Sequence, residues 1–264
     1  MKTIRLKSEG YEVFHLQQLL RLHGYEIYPD GVFGQGTDTI VKQFQTKHKL
    51  VADGIVGEKT WNKLIYIKGM KLSEIDYKEI AEKLDIEVAA VKAVKEVESG
   101  KFGGFLEDNN PPILFEGHIF WNRLKRAGMN PEVYAIDNRD ILYSNWTKQY
   151  YMGGMKEYDR LNRAMQINRK AALESASWGM FQIMGFNYKS CGCNSVEEFV
   201  QKNKQNERSQ LELFMQFIKS NNLDKYLREK DWAGFACKYN GPAYAQNQYD
   251  EKLKQAYLKY KKEA

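Results

Sequence analysis

Glu98 closes an apolar helical run, a position in which a carboxyl group can serve as an acid. The stretch from Ile86 to Val97 holds neither glycine nor proline, and Gly100 stands where a helix C-cap would end it. At about 100° per residue, Ala90, Val91, Val94 and Val97 fall on one arc, and Glu98 falls inside it. Glu96 falls nearly opposite, where an i,i+4 pair with Lys92 predicts a solvated surface bridge. The two glutamates thus have different expected environments. Partial desolvation and the helix's C-terminal carbonyls both disfavour the charged form of Glu98 and raise its pKa. A carboxylic acid that stays protonated near neutrality suits general-acid cleavage of a glycosidic bond.

Such cleavage often uses a second carboxylate, about 5 Å away in retaining enzymes and about 6.5–9.5 Å away in inverting ones. Glu116 is the first candidate, because it stands in the apolar segment Ile113 to Trp121, where a charge needs a reason. A partner for an arginine or for His118 is an equal reading of it. Glu174 follows as a candidate, with a solvated helix position as its alternative, and Asp137 and Asp140 read as turn or cap residues. Tyr143, Trp146, Tyr150 and Tyr151 offer faces for sugar rings or for a helix core.

The chain of 264 residues has room for one large domain or two modest ones, and 43% hydrophobic residues exclude a disordered tail protein. A formal charge of +6, spread along the chain, suits an anionic surface such as a bacterial wall. Without an arginine-rich tract, nucleic acid is not an expected partner. No apolar run approaches the roughly 20 residues of a membrane span, so stable membrane insertion is not expected. The opening Met1-Lys2-Thr3-Ile4-Arg5-Leu6-Lys7 lacks the apolar core of a signal peptide, which predicts accumulation in a cytosol. Cys191, Cys193 and Cys237 read as reduced structural thiols. None of the four histidines has ligand spacing with them, so no metal and no cofactor are expected. A monomer is expected.

The elements that would position Glu98 divide into two blocks. In the first, Asp30-Gly31-Val32-Phe33-Gly34 precedes Thr37 and a helix through Phe44. Asp53-Gly54-Ile55-Val56-Gly57 likewise precedes Thr60-Trp61 and a helix through Leu64. Each Asp-Gly predicts a turn with glycine at positive φ, and each threonine a helix-start residue. Val13, Leu16, Leu19, Leu20 and Leu22 predict one amphipathic helix before them. His15 and His23 share a face of it, in a surface or core role. With Leu16-Gln17-Gln18-Leu19-Leu20 and Val41-Lys42-Gln43-Phe44-Gln45, this three-helix block resembles the type 1 peptidoglycan-binding module. The resemblance implies wall anchoring, with Tyr28, Asp30, Phe33 and Asp53 as wall-contact candidates. The expected domains are 1–66 for wall binding, a linker at 67–74, and a catalytic domain at 75–264.

The second block is mainly helical by period, with helical spacing around Glu157 to Ser175, Val196 to Asn221 and Ala243 to Lys262. A short extended segment, Ile113 to Trp121, interrupts it. A mainly α fold with a minor β element beside a cleft is expected. Four motifs carry a second resemblance: Val97-Glu98-Ser99-Gly100, Pro112-Ile113-Leu114-Phe115-Glu116-Gly117-His118, Ser175-Ala176-Ser177-Trp178-Gly179-Met180-Phe181-Gln182-Ile183-Met184-Gly185, and Tyr239-Asn240-Gly241. In this order they resemble the N-acetylmuramidase domain of bacteriophage endolysins and, more distantly, goose-type lysozymes and soluble lytic transglycosylases. The resemblance implies that Glu98 is the general acid and that Ser99 caps the helix end or bonds Glu98. It further implies that Ser177, Gln182, Ile183, Met184 and His118 line the sugar groove, and that Tyr239 and Asn240 hold the glutamate or the sugar. The activity implied is hydrolysis of the β-1,4 bond between N-acetylmuramic acid and N-acetylglucosamine for host lysis, after holin-mediated release to the wall. Three alternatives stand beside it: a lytic transglycosylase, a chitinase-like enzyme, and a non-catalytic wall-binding protein.

Overall fold

The computed structural model describes residues 3–65, 72, 74–99, 103–106 and 110–263. Gly100, expected at a helix end, and most of the expected linker lie outside the described residues. The chain divides into two compact units, Met1–Asp76 and Tyr77–Ala264.

In the first unit, α1 (Tyr11–Leu22), α2 (Gln35–Lys47) and α3 (Glu58–Ile65) enclose a core of Val13, Leu16, Leu20, Phe33, Val41, Phe44, Trp61 and Leu64. The two loop motifs build the same hydrogen-bond network twice. The Gln17 amide nitrogen donates to the Asp30 carboxylate at 2.7 Å and to the Thr37 hydroxyl at 3.1 Å, while its oxygen accepts from the Gly31 amide at 2.8 Å. Gln45 repeats this with Asp53 at 3.0 Å, Thr60 at 3.3 Å and the Gly54 amide at 2.9 Å. Both turn glycines have the expected left-handed conformation, with φ of 76°. Thr37 and Thr60 sit in the first helical turns as expected, but their hydroxyls bind the buried glutamines. Phe33, expected at the wall, is instead a core residue with 1% exposure. Its ring packs with residues of all three helices, and burying that apolar surface stabilises a unit this small. Tyr28 is 83% exposed, and Asp30 and Asp53 also remain at the surface. His23 is half-buried against the core: its ring meets the Leu64 carbonyl at 2.9 Å, and burial pushes its pKa down to about 4.

A buried polar group that loses its partner costs about 1–3 kcal/mol. Gln45→Ala strips the buried Gly54 amide of its acceptor. Exchange at that amide is expected to accelerate about 30-fold, read by native-state hydrogen exchange, with the Gly31 amide as internal reference. Equal protection in both proteins would show that the network adds no stability.

The second unit begins with α4 (Glu74–Leu84), most of which it holds, and α5 (Val88–Ser99). Then follow β1 (Ile113–Phe115), α6 (Gly117–Arg126), α7 (Glu132–Ala135), α8 (Lys156–Ile167), α9 (Arg169–Glu174), β2 (Ala176–Trp178) and β3 (Ile183–Met184). The remainder is α10 (Val196–Gln205), α11 (Glu207–Ser220), α12 (Asp224–Glu229), α13 (Trp232–Asn240) and α14 (Tyr249–Lys262). The strands form one antiparallel sheet in the order β1-β2-β3, with Leu114 opposite Ser177 and Ser177 opposite Met184. The fold is mainly α with a small sheet, as expected.

Several local expectations give way to tertiary structure. The extended segment stops at Phe115, and Gly117 opens α6 instead. A Cβ there would lie 2.3 Å from the Tyr143 ring, so only glycine lets the two approach. Asn168 and Asn206 break the long helical stretches: each adopts an extended backbone and caps the next helix, accepting from Ala171 and Ser209. Glu96 pairs across to α14, bonding Lys259 at 2.7 Å and the Tyr260 hydroxyl, rather than along its own helix to Lys92. Among the described residues, no helix is long and apolar enough to cross a membrane. Cys191 and Cys193 are buried free thiols, whereas Cys237 is exposed.

Candidate active site

Three elements converge on Glu98. Helix α5 presents it, because Ala89, Ala90, Val91, Ala93 and Val94 are buried and fix the helix's rotation. Val97, expected on the same buried arc, is partly exposed. The β2–β3 turn forms one wall beside the glutamate, and the end of α13 supplies Asn240. The Asn240 amide donates to both Glu98 oxygens, at 3.1 and 3.4 Å. Glu98 keeps a partly exposed face, but most of its surroundings are protein. Burial pushes its pKa up to about 7, against the opposing pull of the Asn240 hydrogen bond.

Two pockets of about 310 Å³ each share Glu98 and Gln182. The first is completed by Phe181, Ile183, Met184, Asn187, Phe217, Tyr239, Asn240 and Tyr249. Ser99, Leu106, Leu114, Gly153, Gly154 and Gly179 are among the residues around the second. Glu98 is the sole carboxylate among the described residues lining either. A larger cavity of about 780 Å³ lies among α4, α5, α12 and α14. Two of its three acids are paired, Glu87 with Lys230 and Lys261 and Asp85 with Arg228, and the third, Glu82, is exposed. It therefore offers no desolvated, unpaired acid.

The turn is built to hold its shape. Gln182 adopts a left-handed backbone, φ 48°, rare for a side chain of that size. Its amide nitrogen donates to the Gly179 carbonyl at 2.8 Å and the Pro112 carbonyl at 3.3 Å, and its oxygen accepts from Ser177 at 2.7 Å. Gly179, at φ 70°, lies where a Cβ would meet the Asn203 side chain at 2.4 Å. Tyr239 stacks on Phe235 and donates its hydroxyl to the Phe181 carbonyl at 2.8 Å. It thus braces the turn, while Asn240 hydrogen-bonds Glu98.

The structure therefore gathers Glu98, Ser99, Gln182, Ile183, Met184, Tyr239 and Asn240 around one cleft, with Ser177 behind Gln182. Glu116 and His118 lie outside both pocket linings. Glu174, a candidate with a solvated alternative, is buried and faces Arg123 at 3.5 Å. Asp140 pairs with Arg163 at 2.7 Å. Sequence reasoning missed Asn187, Phe217 and Tyr249. Tyr249 lies close enough that the Glu98 charge raises its pKa further, after burial. No group of three metal-ligating side chains occurs among the described residues.

Activity carried by protonated Glu98 is expected to fall as pH rises, with its upper midpoint at about 7, the value to which burial raises this carboxyl group. A pH–rate profile on solubilised wall substrate reads this. An upper midpoint beyond about 9 would exclude a carboxylic acid as the proton donor.

One desolvated acid in a cleft between helices and a short hairpin is an arrangement suited to a lysozyme-type glycoside hydrolase. The N-acetylmuramidase family profile matches residues 87–261, and the peptidoglycan-binding domain profile matches residues 9–64. The chain belongs to the N-acetylmuramidase family. It is similar throughout to the crystal structure of the Burkholderia AP3 phage endolysin, with 41% identity, a TM-score of 0.68, and coverage of 99% of this chain and 100% of that one. The spore cortex-lytic enzyme of Bacillus cereus is 32% identical over 112 residues, which are 42% of this chain. The match spans 37% of that curated relative's length.

Proposed function

We propose that this chain is an endolysin that hydrolyses the β-1,4 bond between N-acetylmuramic acid and N-acetylglucosamine, with water as acceptor. The observation that carries the reading is Glu98, partly buried at the junction of two pockets and held by Asn240. Protonated Glu98 donates to the glycosidic oxygen. The Asn240 N–H groups then stabilise the carboxylate left behind, which is the charge-assisted bond that strengthens as the proton leaves. The buried Asn240 carbonyl oxygen has no hydrogen-bond partner among the described residues, which leaves its acceptor capacity unused beside the cleft. With no other carboxylate lining the pockets among the described residues, deprotonated Glu98 is the group that accepts the proton of the attacking water. Residues 1–66 anchor the enzyme to the wall, with Tyr28 as the most exposed contact. Residues 67–74 join them to the catalytic domain at 75–264. The endolysin likeness supports accumulation in the host cytoplasm followed by release to the wall.

Digestion of purified sacculi, with mass spectrometry of the released fragments, tests the reading. Reducing N-acetylmuramic ends are expected. Ends of 1,6-anhydro type would make the protein a lytic transglycosylase, and binding without any release would make it a wall-binding protein.

A further inference from the structure

The aromatic and acidic residues beyond the end of β1 belong to neither pocket, yet both walls of the cleft lead to them. Along β1, Leu114 lines the second pocket. Glu116 stands two residues on, and the Glu116 amide continues the ladder to the Ser175 carbonyl at 2.9 Å. Side chains two apart on a strand share a face, so Glu116 lies about 7 Å further along the same side. On the other wall, Gly153 and Gly154 line the pocket, and Tyr151 stands two residues before Gly153. The Tyr151 hydroxyl donates to both Glu116 oxygens, at 2.8 and 2.9 Å. Buried Glu157 ties the walls together, accepting from the amides of Phe115 at 3.1 Å and Met152 at 2.6 Å.

We propose that Glu116, His118, Tyr151 and Trp146 form a saccharide subsite that extends the cleft and takes a further N-acetylhexosamine ring of the same glycan strand. The inference rests on reading Glu98 as the cleaving acid. Its chemistry is that of sugar recognition. Trp146 is 59% exposed, and its indole lies close enough to the Tyr151 hydroxyl to act on its ionisation, after burial and Glu116. The Lys148 ammonium lies 5.7 Å from the Trp146 ring centroid, and the ring keeps open surface for the C–H face of a sugar. Glu116 is only partly buried. Tyr151 and the His118 ring, whose Nδ1 lies 3.3 Å away, are its neighbours, and its oxygens keep lone pairs for a sugar hydroxyl or acetamido N–H. His118 Nδ1 is buried facing Glu116, without a hydrogen bond among the described residues, and the ring stacks on Tyr143, so the rim is fixed. This assigns Glu116 to binding rather than to bond cleavage.

Peptide-free glycan strands, fractionated by length, supply the test. Trp146→Ala is expected to raise KM for long strands about tenfold, with kcat within about twofold. The KM for the shortest strands cleaved should change least. Equal KM at every length would overturn the subsite. A collapse of kcat in Glu116→Gln on all strands would return Glu116 to the chemistry. A binding readout is independent of turnover: in the Glu98→Gln protein, the Trp146 indole resonance should shift as long strands are titrated in. Glu116→Gln in that background should weaken the titration about tenfold. A silent indole resonance would overturn the subsite, whereas absence of cleavage by the wild type with a responsive indole would overturn only the reading of Glu98.

Discussion

Glu98→Gln is expected to lower kcat on solubilised peptidoglycan by about 10²–10⁴-fold, the range for removing a general acid. Glutamine keeps the volume and can still meet the Asn240 amide, so the loss is one of proton transfer rather than of shape. KM is expected to move little, because only an interaction made in the transition state has gone. The same substitution has an opposite effect on stability. Glu98 has a folded pKa of about 7, above that of a free glutamate. It therefore favours the folded state at low pH, and this contribution is lost as pH rises through about 7. Glu98→Gln should consequently melt at the same or higher temperature than the wild type at pH 8, with little difference at pH 4. Steady-state kinetics and thermal melts at the two pH values check both halves. A variant that is equally inactive but melts lower at pH 8 would point to misfolding instead.

Glu157→Ala is expected to cost about 3–5 kcal/mol, the largest stability effect of any single change considered for the second unit. Glu157 has no exposed surface, and its carboxylate binds Arg160 at 2.8 Å as well as the amides of Phe115, Met152 and Gly153. Arg160, also buried, spends its other donors on the Phe115 and Asp140 carbonyls. Removing the carboxylate strands a buried guanidinium and three amides. At roughly 2–4 °C per kcal/mol for a unit of this size, the melting temperature should fall by about 6–20 °C. Gly153 and Gly154 line the cleft, so substrate affinity should fall as well. Arg160→Met with Glu157→Leu should recover part of the stability, since a packed apolar pair can replace a buried ion pair. A fall of less than about 1 kcal/mol in denaturant titration of Glu157→Ala would show that the pair is solvated in solution.

Local pattern was sufficient for some of this architecture. The phase of Glu98 could be read because a helical period needs only neighbouring residues, and the two Asp-Gly turns because positive φ selects glycine. The cleft motif around Gln182 and the Asn240 contact came through resemblance, with the structure adding how each side chain is held. Other features depended on distant chain. Glu96 looked solvated because its partners, Lys259 and Tyr260, arrive from α14. Apolar spacing runs past Asn168 and Asn206, so period alone could not show that an extended asparagine divides each stretch. Phe33 looked like an exposed loop aromatic because its burial comes from the packing of three helices. Tyr249 and Phe217 reach the cleft from elements about 100 residues or more beyond Glu98, and no local signal marks them.

Titration of the Glu98 side-chain carboxyl by carbon NMR, assigned by its absence in Glu98→Gln, tests the central claim most directly. A midpoint near 7 is the expected result: it would show a carboxylic acid kept neutral by burial beside Asn240 and poised to donate. A midpoint near 4.3, the value of a free glutamate, would mean that the cleft does not desolvate the group. It would remove Glu98 as the proton donor at neutral pH.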